Sequence, residues 1–321
     1  MIESAPNNLT VQTFSWKRAL FGAYDVLHVH WPENLIRGRS RASTYAKRIL
    51  FVLLVVRLWL LRRPVVRTLH NIDPHEQGGM VERQLLKLAD VRTDYFIALN
   101  SVTPIPGDKP ARTILHGHYR NRPEYQTTTE PDLNRLLYFG LIRPYKGVED
   151  LIAAFSEIRT SNPSINLRIV GKPQDQALKE HILDTCRRSN SITSRLEFVP
   201  DRDLGEEIAG AGLVVLPYRE MHNSGSVLLA LSMNRPVLVP DTDVNRALQQ
   251  EVGPGWVYLF SGGMSAATLG AVLTSVTSDE RSAQPQMSGR DWDVVGEQHY
   301  RVYVDAVNKP VRLHESDALA R

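Results

Sequence analysis

Stretches rich in β-branched and aromatic residues alternate with stretches of helical periodicity along most of the chain. Ten apolar stretches are candidate strands: 25–31, 65–70, 95–99, 112–115, 136–139, 167–170, 196–199, 213–216, 236–239 and 256–260. Helical patterns lie between them, for example at 147–159, 176–188, 204–211 and 226–233. Strands that alternate with helices are typical of parallel sheets built from βαβ units. The sequence therefore predicts an α/β protein.

Ten strands in 321 residues are more than one sheet of this length holds comfortably. The polar segment 121–134 (NRPEYQTTTEPDLN) has the composition of a linker. We therefore expect two doubly wound domains, 1–125 and 126–289, and a C-terminal segment, 290–321. Within that segment, residues 291–307 place apolar and aromatic side chains three and four positions apart, which predicts a helix with one packed face.

Composition excludes several classes of protein. Hydrophobic residues make up 42% and charged residues 23% of the chain, as in soluble globular proteins. The net charge of +3, from 38 basic and 35 acidic residues, does not indicate a nucleic-acid partner. Cys186 is the single cysteine, so no internal disulfide can form, and a reducing, cytoplasmic setting fits best. The polar residues 1–8 do not resemble a secretory signal.

One apolar segment, 49–61 (ILFVLLVVRLWLL), suggests a contact with a membrane. As a helix its 13 residues would extend roughly 20 Å, less than the ~30 Å hydrocarbon core of a bilayer. Arg57 also interrupts it. Two interpretations remain: a helix packed against a sheet with Arg57 extending to solvent, or a helix that docks on a membrane surface.

Polar residues cluster after the predicted strands, where ligands of open α/β sheets bind. In the first half they are His30, Glu33, His70, Asn71, Asp73, His75, Glu76, His116 and His118. In the second half they are Gly140, Arg143, Lys146, Tyr218, Glu220, Asn223, Ser224, Gly225 and Ser226. Two sheets with such edges facing one another would form a cleft.

Two loops of the second half are candidate anion sites. Arg143 and Lys146 lie just before the helix predicted from Gly147, and two cations beside a helix N-terminus suit a diphosphate. Ser224, Gly225 and Ser226 open a second helix, where serine caps and glycine allows a ligand close to the backbone. The alternatives are solvated surface cations and an ordinary helix cap.

The histidines and a paired aspartate also have structural alternatives. His28 is expected to pack inside its strand, whereas His30, His70 and His75 could contact a sugar hydroxyl or phosphate, or form structural hydrogen bonds. No helical His-x-x-x-His or cysteine pair supports zinc. Asp241-Thr242-Asp243 is an Asp-x-Asp pair of the kind that can hold a cation, but a solvated turn is favoured. We expect no metal and no other cofactor.

These motifs together resemble those of GT-B glycosyltransferases. The matching residues are the run 138–147 (YFGLIRPYKG), Tyr218-Arg219, 224–226 before Arg235-Pro236-Val237, 28–33 (HVHWPE), His70-Asn71 and Pro74-His75-Glu76. Together they are similar to bacterial mannosyltransferases of the xanthan-type β-mannosyltransferase group, which use GDP-mannose, over most of residues 10–308. The resemblance implies two Rossmann-like domains, with the acceptor bound by the first domain and the donor by the second. It further implies a C-terminal helix that returns to the first domain.

The resemblance assigns roles to the predicted site residues. Arg143 and Lys146 would hold the diphosphate, with Gly140, Tyr218, Glu220, Asn223 and 224–226 around the donor. Asp73, Glu33 and His30 are the candidate catalytic residues, and Asp73 or Glu33, at strand ends of the first half, is favoured as the general base that an inverting enzyme needs. Contacts with the donor sugar or the acceptor are expected from the remaining strand-end residues: His70, Asn71, His75, Glu76, His116 and His118.

Two departures from the family pattern affect these expectations. Many retaining GT-B enzymes carry two glutamates eight positions apart, and here those positions fall on Met221 and Leu229, with Glu220 adjacent. The chain also begins at what resembles the second strand, so the first βα unit is expected to be missing. The predicted function is transfer of a hexose, with mannose from GDP-mannose favoured, to a saccharide or glycolipid. The alternatives are a non-catalytic sugar-nucleotide-binding subunit and a metal-dependent, GT-A-like transferase that uses a UDP-sugar. The predicted location is cytoplasmic, with peripheral membrane contact through the first domain left open.

Overall fold

The computed structural model describes residues 5–70, 78–219 and 221–308. Within these residues the chain forms two compact units, one built from the first part of the chain through Gly117 together with the segment from Gly289, the other from His118–Ser288. The strands, in chain order, are β1 (Leu27–Val29), β2 (Val65–Leu69), β3 (Tyr95–Ala98), β4 (Ala111–Thr113), β5 (Asp132–Phe139), β6 (Asn166–Val170), β7 (Ile192–Arg195), β8 (Ala211–Val215), β9 (Val237–Pro240) and β10 (Val257–Phe260).

Helices occupy most of the connections between these strands. They are α1 (Trp16–Phe21), α2 (Pro32–Ile36), α3 (Arg41–Leu60), α4 (Met80–Arg92), α5 (Val148–Ile158), α6 (Gln176–Arg188), α7 (Asp201–Ala209), α8 (Gly225–Ser232), α9 (Asp243–Val252), α10 (Ala266–Ser278) and α11 (Trp292–Asn308). Short 3₁₀ turns lie at Pro123–Tyr125, Pro144–Lys146 and Ser288–Arg290.

The first unit contains a parallel sheet of four strands in the order β1-β2-β3-β4. Its central strands are buried because apolar residues dominate them, as in Val65–Leu69 and Tyr95–Ala98. The C-terminal helix α11 packs on this sheet through Val295, Val302 and Ala306, which share a cluster with Val66 and Ile97. The positions three and four apart on one face of α11 are therefore the ones that become buried, as the spacing predicts.

The second unit contains a parallel sheet of six strands in the order β10-β9-β8-β5-β6-β7. Its order reverses between β5 and β8, so the loops after these two strands diverge around the point where open α/β sheets bind ligands. The core is continuous across the sheet, and β8 is buried along its whole length. The expected α/β architecture, with two parallel sheets in two units, is confirmed.

Nine of the ten predicted strands overlap an observed strand, and one prediction is wrong. Residues 196–199 (LEFV) are not a strand; the edge strand is β7, Ile192–Arg195. An edge strand needs only one apolar face, and Ile192 supplies it, whereas Phe198 of the more apolar stretch is 77% exposed. The prediction followed the density of apolar residues, and it therefore placed this strand too far towards the C-terminus.

Helix α3 packs on the first unit, as one of the two interpretations of the apolar segment expects. Phe51, Leu54 and Leu58 are buried against the first unit, while other apolar side chains of the same helix face solvent. The expectation that Arg57 extends to solvent is wrong, because its guanidinium donates to the carbonyls of Ala19 and Gly22 and to the Tyr24 hydroxyl. These carbonyls lie at the C-terminal end of α1, where helices lack intrahelical donors. None of the helices in the described residues is long and apolar enough to span a bilayer.

Candidate active site

Two loops of the second unit converge at the carboxyl edge of its sheet. One follows β5 and carries Gly140 and Lys146; the other follows β8, carries Tyr218 and leads into α8, whose first turn contains Ser226. A Cβ atom at Gly140 would lie 3.6 Å from Ser226 Oγ, 3.9 Å from Lys146 Nζ and 4.0 Å from Tyr218 Oη. These four residues, all predicted from the sequence, therefore border one small space.

We call the place where Gly140, Lys146, Tyr218 and Ser226 meet the corner. Glycine is required there for its backbone conformation and for the space that it leaves. Gly140 has φ +111°, and Gly171, at the end of the neighbouring strand β6, has φ +141°; both values lie where side chains are strained. A Cβ at Gly171 would lie 1.8 Å from the Gly140 carbonyl oxygen, and one at Gly147 would lie 2.2 Å from the Pro217 carbonyl oxygen. The loops can approach one another this closely only because no side chain intervenes.

Lys146 is held at the centre of the corner. Its Nζ donates to Tyr218 Oη at 3.0 Å and lies 4.5 Å from the centroid of the tyrosine ring, a cation–π distance. Burial, and then the positive charge of Arg143, lower the pKa of Lys146 to about 8. Neither cation forms an ion pair with a carboxylate anywhere in the described ranges. An anion bound here would therefore relieve both the desolvation and the repulsion.

The loop after β8 is fixed by contacts that do not use the corner. The Arg219 N–H donates to the Tyr145 carbonyl at 2.9 Å, and its guanidinium pairs with Asp150 at 3.1 Å. Ser224 is the N-cap of α8 and accepts from the Val227 N–H. Tyr218, in contrast, is buried and bonded to Ser226, and burial raises its pKa, so the phenol remains protonated.

The remaining donor residues have mixed positions. Asn223 is half-buried in the loop before α8, and Glu220 lies outside the described residues. Met221 and Leu229, which occupy the positions of the family's glutamates, are 8% and 6% exposed and belong to the hydrophobic core. A carboxylate at either position would be buried among apolar side chains, which is costly.

A cluster of imidazoles occupies the carboxyl edge of the other sheet. His30 follows β1 and His70 follows β2, and their Nδ1 and Nε2 atoms are 2.9 Å apart. The ring of His28 stacks on His30 with centroids 4.4 Å apart, and Trp31 stacks on His70 at 4.4 Å and 16°. Burial, followed by neighbouring imidazoles, lowers the pKa of His28, His30 and His70, the last to about 4. These rings are therefore neutral at pH 7.

His28 has the structural role expected of it. Its Nδ1 is 2.7 Å from the Tyr303 hydroxyl and its Nε2 is 2.8 Å from Thr68 Oγ1. It thus connects β1, β2 and α11 within the first unit. The sequence indicated Tyr303 and His299 only as members of the packed face of α11, and it did not single out Thr68. Two features of the sequence could have indicated these partners. Thr68 is a polar residue within an apolar strand, and His299 and Tyr303 are polar aromatic residues four positions apart on an otherwise apolar helix face.

The other predicted residues of the first unit are only partly brought together. Burial lowers the pKa of Arg67, and the negative charge of Glu33, in the first turn of α2, is near enough to oppose that shift. His116 is half-buried, and its Nδ1 is 2.8 Å from the Gly117 carbonyl. Its ring lies edge-on to Trp292. Predicted residues that fall outside the described ranges are Asn71, Asp73, His75 and Glu76.

His118 belongs to the second unit and is buried, with 3% of its surface exposed. Its Nδ1 accepts the Arg120 N–H at 3.3 Å, so this ring helps to fix its own loop. Tyr119, which the sequence did not single out, has its hydroxyl 3.3 Å from where a Cβ of Gly225 would lie. Alanine at position 225 would press on that hydroxyl.

Metal ligands do not cluster in the described part of the chain: it contains no group of three or more His, Cys, Asp or Glu side chains suited to an ion. In the Asp241-Thr242-Asp243 segment, Asp241 pairs with Arg246 at 2.5 Å and Thr242 caps α9. The segment therefore has a structural role, but as the N-terminus of α9 and not as the solvated turn that was favoured. The expectation that the enzyme requires no metal stays a prediction to be tested.

Comparison with solved structures defines the class of protein. The chain superposes on Anabaena Alr3699/HepE in complex with UDP and glucose with a TM-score of 0.61 at 17% identity, over 88% of this chain and 78% of that one. It superposes on the catalytic domain of Arabidopsis thaliana starch synthase IV bound to ADP and acarbose with a TM-score of 0.60 at 13% identity, over 89% and 73% of the two chains. The protein therefore has the GT-B glycosyltransferase fold.

Sequence comparison identifies the family. Residues 134–277 match the family model described as glycosyl transferases group 1. The chain is 44% identical over 313 residues to the GDP-mannose:glycolipid 4-β-D-mannosyltransferase of Xanthomonas campestris pv. campestris, covering 96% of this chain and 88% of the relative. The chain belongs to the glycosyltransferase family that contains this enzyme. The predicted resemblance is confirmed, and neither a GT-A transferase nor a non-catalytic subunit is supported.

Proposed function

We propose that this glycosyltransferase transfers mannose from GDP-mannose to a glycolipid. The proposal is supported by the relative that is 44% identical over nearly the whole chain, whose name specifies this donor and acceptor class. We assign the donor to the second unit, 126–289 in the predicted division, and the acceptor to the first unit. The segment 290–321 carries α11, which packs on the sheet of the first unit.

The observation that carries the donor assignment is the pair of uncompensated cations beside Gly140. A diphosphate carries negative charge on several oxygens, so Lys146 and Arg143 would both contact it. The Ser226 hydroxyl and the open space at Gly140 lie next to Lys146 Nζ. As the bond to the sugar breaks, charge develops on the leaving diphosphate, and two fixed cations would stabilise it without a metal. We assign Tyr218, Glu220, Asn223, Ser224 and Gly225 to the same donor pocket.

The name of the relative also bears on stereochemistry. The phosphate of GDP-mannose is attached in the α configuration, and that relative is named for a β product. Direct displacement with inversion requires a general base at the acceptor hydroxyl. The base candidates in the first unit are Glu33, Asp73 and His30. Further contacts with the sugar or acceptor are proposed for the neighbouring strand-end residues His70, Asn71, His75, Glu76, His116 and His118.

Two measurements test the proposed function. Thermal-shift titrations with GDP, UDP and ADP should show the largest stabilisation with GDP, because a ligand that binds only the folded state raises its melting temperature. Transfer of labelled mannose from GDP-mannose to a lipid-linked saccharide should then proceed in excess EDTA. A preference for UDP would contradict the donor assignment, and loss of transfer in EDTA with recovery in manganese would contradict the metal-free mechanism.

We propose further that the enzyme reaches its acceptor at a membrane surface through α1 and α3. Apolar side chains of α3 that face solvent include Ile49, Leu53, Val56, Trp59 and Leu60, and Phe21 at the end of α1 is 83% exposed. Contiguous exposed apolar patches of this kind mark interaction sites, and aromatic residues favour the membrane interface. We call these six residues the α1–α3 apolar surface.

The charge around this surface favours an anionic lipid partner. Residues 34–72 contain nine basic residues and no acidic residue. Among them, Arg39, Arg41 and Arg62 are exposed and form no ion pair within the described ranges. A cation near an anionic membrane contributes about 1 kcal/mol to binding, so a few of them, with the buried apolar area, suffice for reversible attachment.

Vesicle sedimentation tests the membrane contact. The protein should sediment with phosphatidylcholine vesicles that contain phosphatidylglycerol and much less with phosphatidylcholine alone. The double variant Leu53→Glu with Trp59→Glu should abolish sedimentation, because it places two charges on the α1–α3 apolar surface. Phe198→Glu is the matched control, since Phe198 is an exposed apolar residue of the second unit. Equal sedimentation of both variants would contradict the assignment.

A further inference from the structure

The two histidines that lie closest together are placed by the sheet itself. Strands β1 and β2 are parallel neighbours in register, with Leu27 beside Val65 and Val29 beside Arg67. The residues that follow them, His30 and His70, therefore emerge at the same carboxyl edge. The contact of 2.9 Å between their ring nitrogens is a direct result of this register.

A hydrogen bond between two imidazoles constrains both tautomers. One ring must contribute an N–H and the other a lone pair. When His30 Nδ1 donates to His70 Nε2, the Nε2 atom of His30 carries the lone pair. Within the described ranges this Nε2 forms no hydrogen bond, and the ring is only half-buried. In this tautomer His30 is an oriented imidazole whose Nε2 is available to accept a proton from a substrate.

The rings of His30 and His70 each have a stacking contact on one face in addition to the hydrogen bond between them. His28 stacks on His30, and it is itself fixed between Thr68 and Tyr303. Trp31 stacks on His70. A base whose second nitrogen is bonded to an orienting group is the arrangement that recurs in acid–base catalysis. In these imidazoles the orienting group is a second histidine.

We propose that His30 is the general base of the transfer and that His70 is its positioning residue, an inference that rests on the proposed inverting mannosyl transfer. The acceptor hydroxyl gives its proton to His30 Nε2 as its oxygen bonds to the anomeric carbon. The bond from that carbon to the phosphate oxygen breaks, and its electron pair leaves with GDP. The imidazolium of His30 donates from Nδ1 to the neutral His70, and that hydrogen bond is strengthened by the charge. The proton is later released to water.

The surroundings of the pair favour this role over the neighbouring carboxylate. His30 faces His28 on its own strand, His70 at the end of β2 and His299 on α11, and His70 also faces His116. These neighbours and burial keep His30 deprotonated at neutral pH, as a base requires. Glu33 instead has no hydrogen bond within the described residues that would orient its carboxylate.

The test compares variants of both histidines in the full chain. His30→Gln should lower kcat by roughly 100-fold or more while the affinity for GDP stays unchanged. Added imidazole should partly restore transfer by His30→Ala. His70→Gln keeps an oxygen that can accept a hydrogen bond from His30, so kcat should fall less than tenfold. The acidic limb of the profile of kcat against pH should shift in this variant. His70→Leu should lose kcat more severely without changing GDP affinity.

The control is His181→Gln, an exposed histidine of α6 that should leave kcat unchanged. If His30→Gln does not fold, as judged by its melting curve, His30→Asn replaces it. Near-normal kcat in a folded His30 variant, or loss of transfer in Glu33→Gln alone, overturns the inference. Absence of mannosyl transfer by the wild-type enzyme overturns the proposed function instead, so the two failures are distinguishable.

Discussion

The ammonium group of Lys146 donates to the hydroxyl of Tyr218 at 3.0 Å while it lies 4.5 Å from the centroid of the same ring. The contact joins the loop after β5 to the loop after β8, which are 72 residues apart in the chain. A neutral phenol can orient a cation but cannot neutralise it. The positive charge therefore remains available to a ligand.

Replacement of Lys146 tests whether this charge binds the nucleotide. We expect Lys146→Ala to weaken GDP binding at least tenfold, since a charge-assisted hydrogen bond contributes about 1.5–3 kcal/mol. Tyr218→Phe should have a smaller effect, because it removes only the orienting contact. Arg202→Ala, which removes an exposed cation of the same unit, is the control. Isothermal titration calorimetry measures all three, and equal affinities would remove Lys146 from the site.

The low pKa of Lys146 leads to a prediction about pH. Without ligand its pKa is about 8, and a bound diphosphate raises the pKa by opposite charge. At a pH between these two pKa values, Lys146 is protonated in the complex and largely deprotonated in the free protein. GDP binding should therefore take up protons near pH 8.5 and weaken as the pH rises further. Calorimetry in buffers of different ionisation enthalpy measures the uptake, which Lys146→Arg should abolish.

The glycines at the corner should differ in what they tolerate. Gly171→Ala should prevent normal folding of the second unit, because its Cβ would overlap the Gly140 carbonyl oxygen. A Cβ at Gly140 would make ordinary contacts without a clash, so we expect Gly140→Ala to fold, to be about 1–2 kcal/mol less stable because a side chain at positive φ is strained, and to bind GDP less well. Gly263→Ala, with nothing within 4 Å of the new Cβ, is the control. Denaturant unfolding distinguishes these outcomes.

Much of the second unit could be predicted from its sequence because local patterns coincide with buried structure. The run after β5 contains Gly140, Lys146 and Gly147 in the order that its turn geometry requires, and the apolar stretches of β5, β8 and β9 are buried throughout or nearly so. The contact between Lys146 and Tyr218 depends on sheet order, which no local pattern specifies. Neither did a pattern indicate that Arg57 binds the end of α1, because that contact joins residues far apart in sequence.

The imidazole cluster lay still further from what a single sequence reveals. His28 and His30 are separated by one residue, so alternation along a strand places both on one face. Their partners Thr68, His70 and Tyr303 come from β2, the residue after it, and α11. Only the register of the sheet and the packing of α11 bring these side chains together.

The cluster should make the first unit sensitive to acid. His28, His30 and His70 have folded-state pKa values below the ordinary 6.5, so the unfolded chain binds more protons than the folded one at mildly acidic pH. Their contribution to stability is complete above pH 6.5 and is lost as the pH falls towards about 4, where His70 titrates. For His70, whose folded-state pKa is about 4, we expect the free energy of unfolding to fall by roughly 2 kcal/mol between pH 7 and pH 5, and His28 and His30 change it in the same direction. Urea unfolding at both pH values, followed through the tryptophan fluorescence of the first unit, measures the change. His70→Gln should reduce this pH dependence because glutamine does not titrate, and an unchanged dependence would show that other groups cause it.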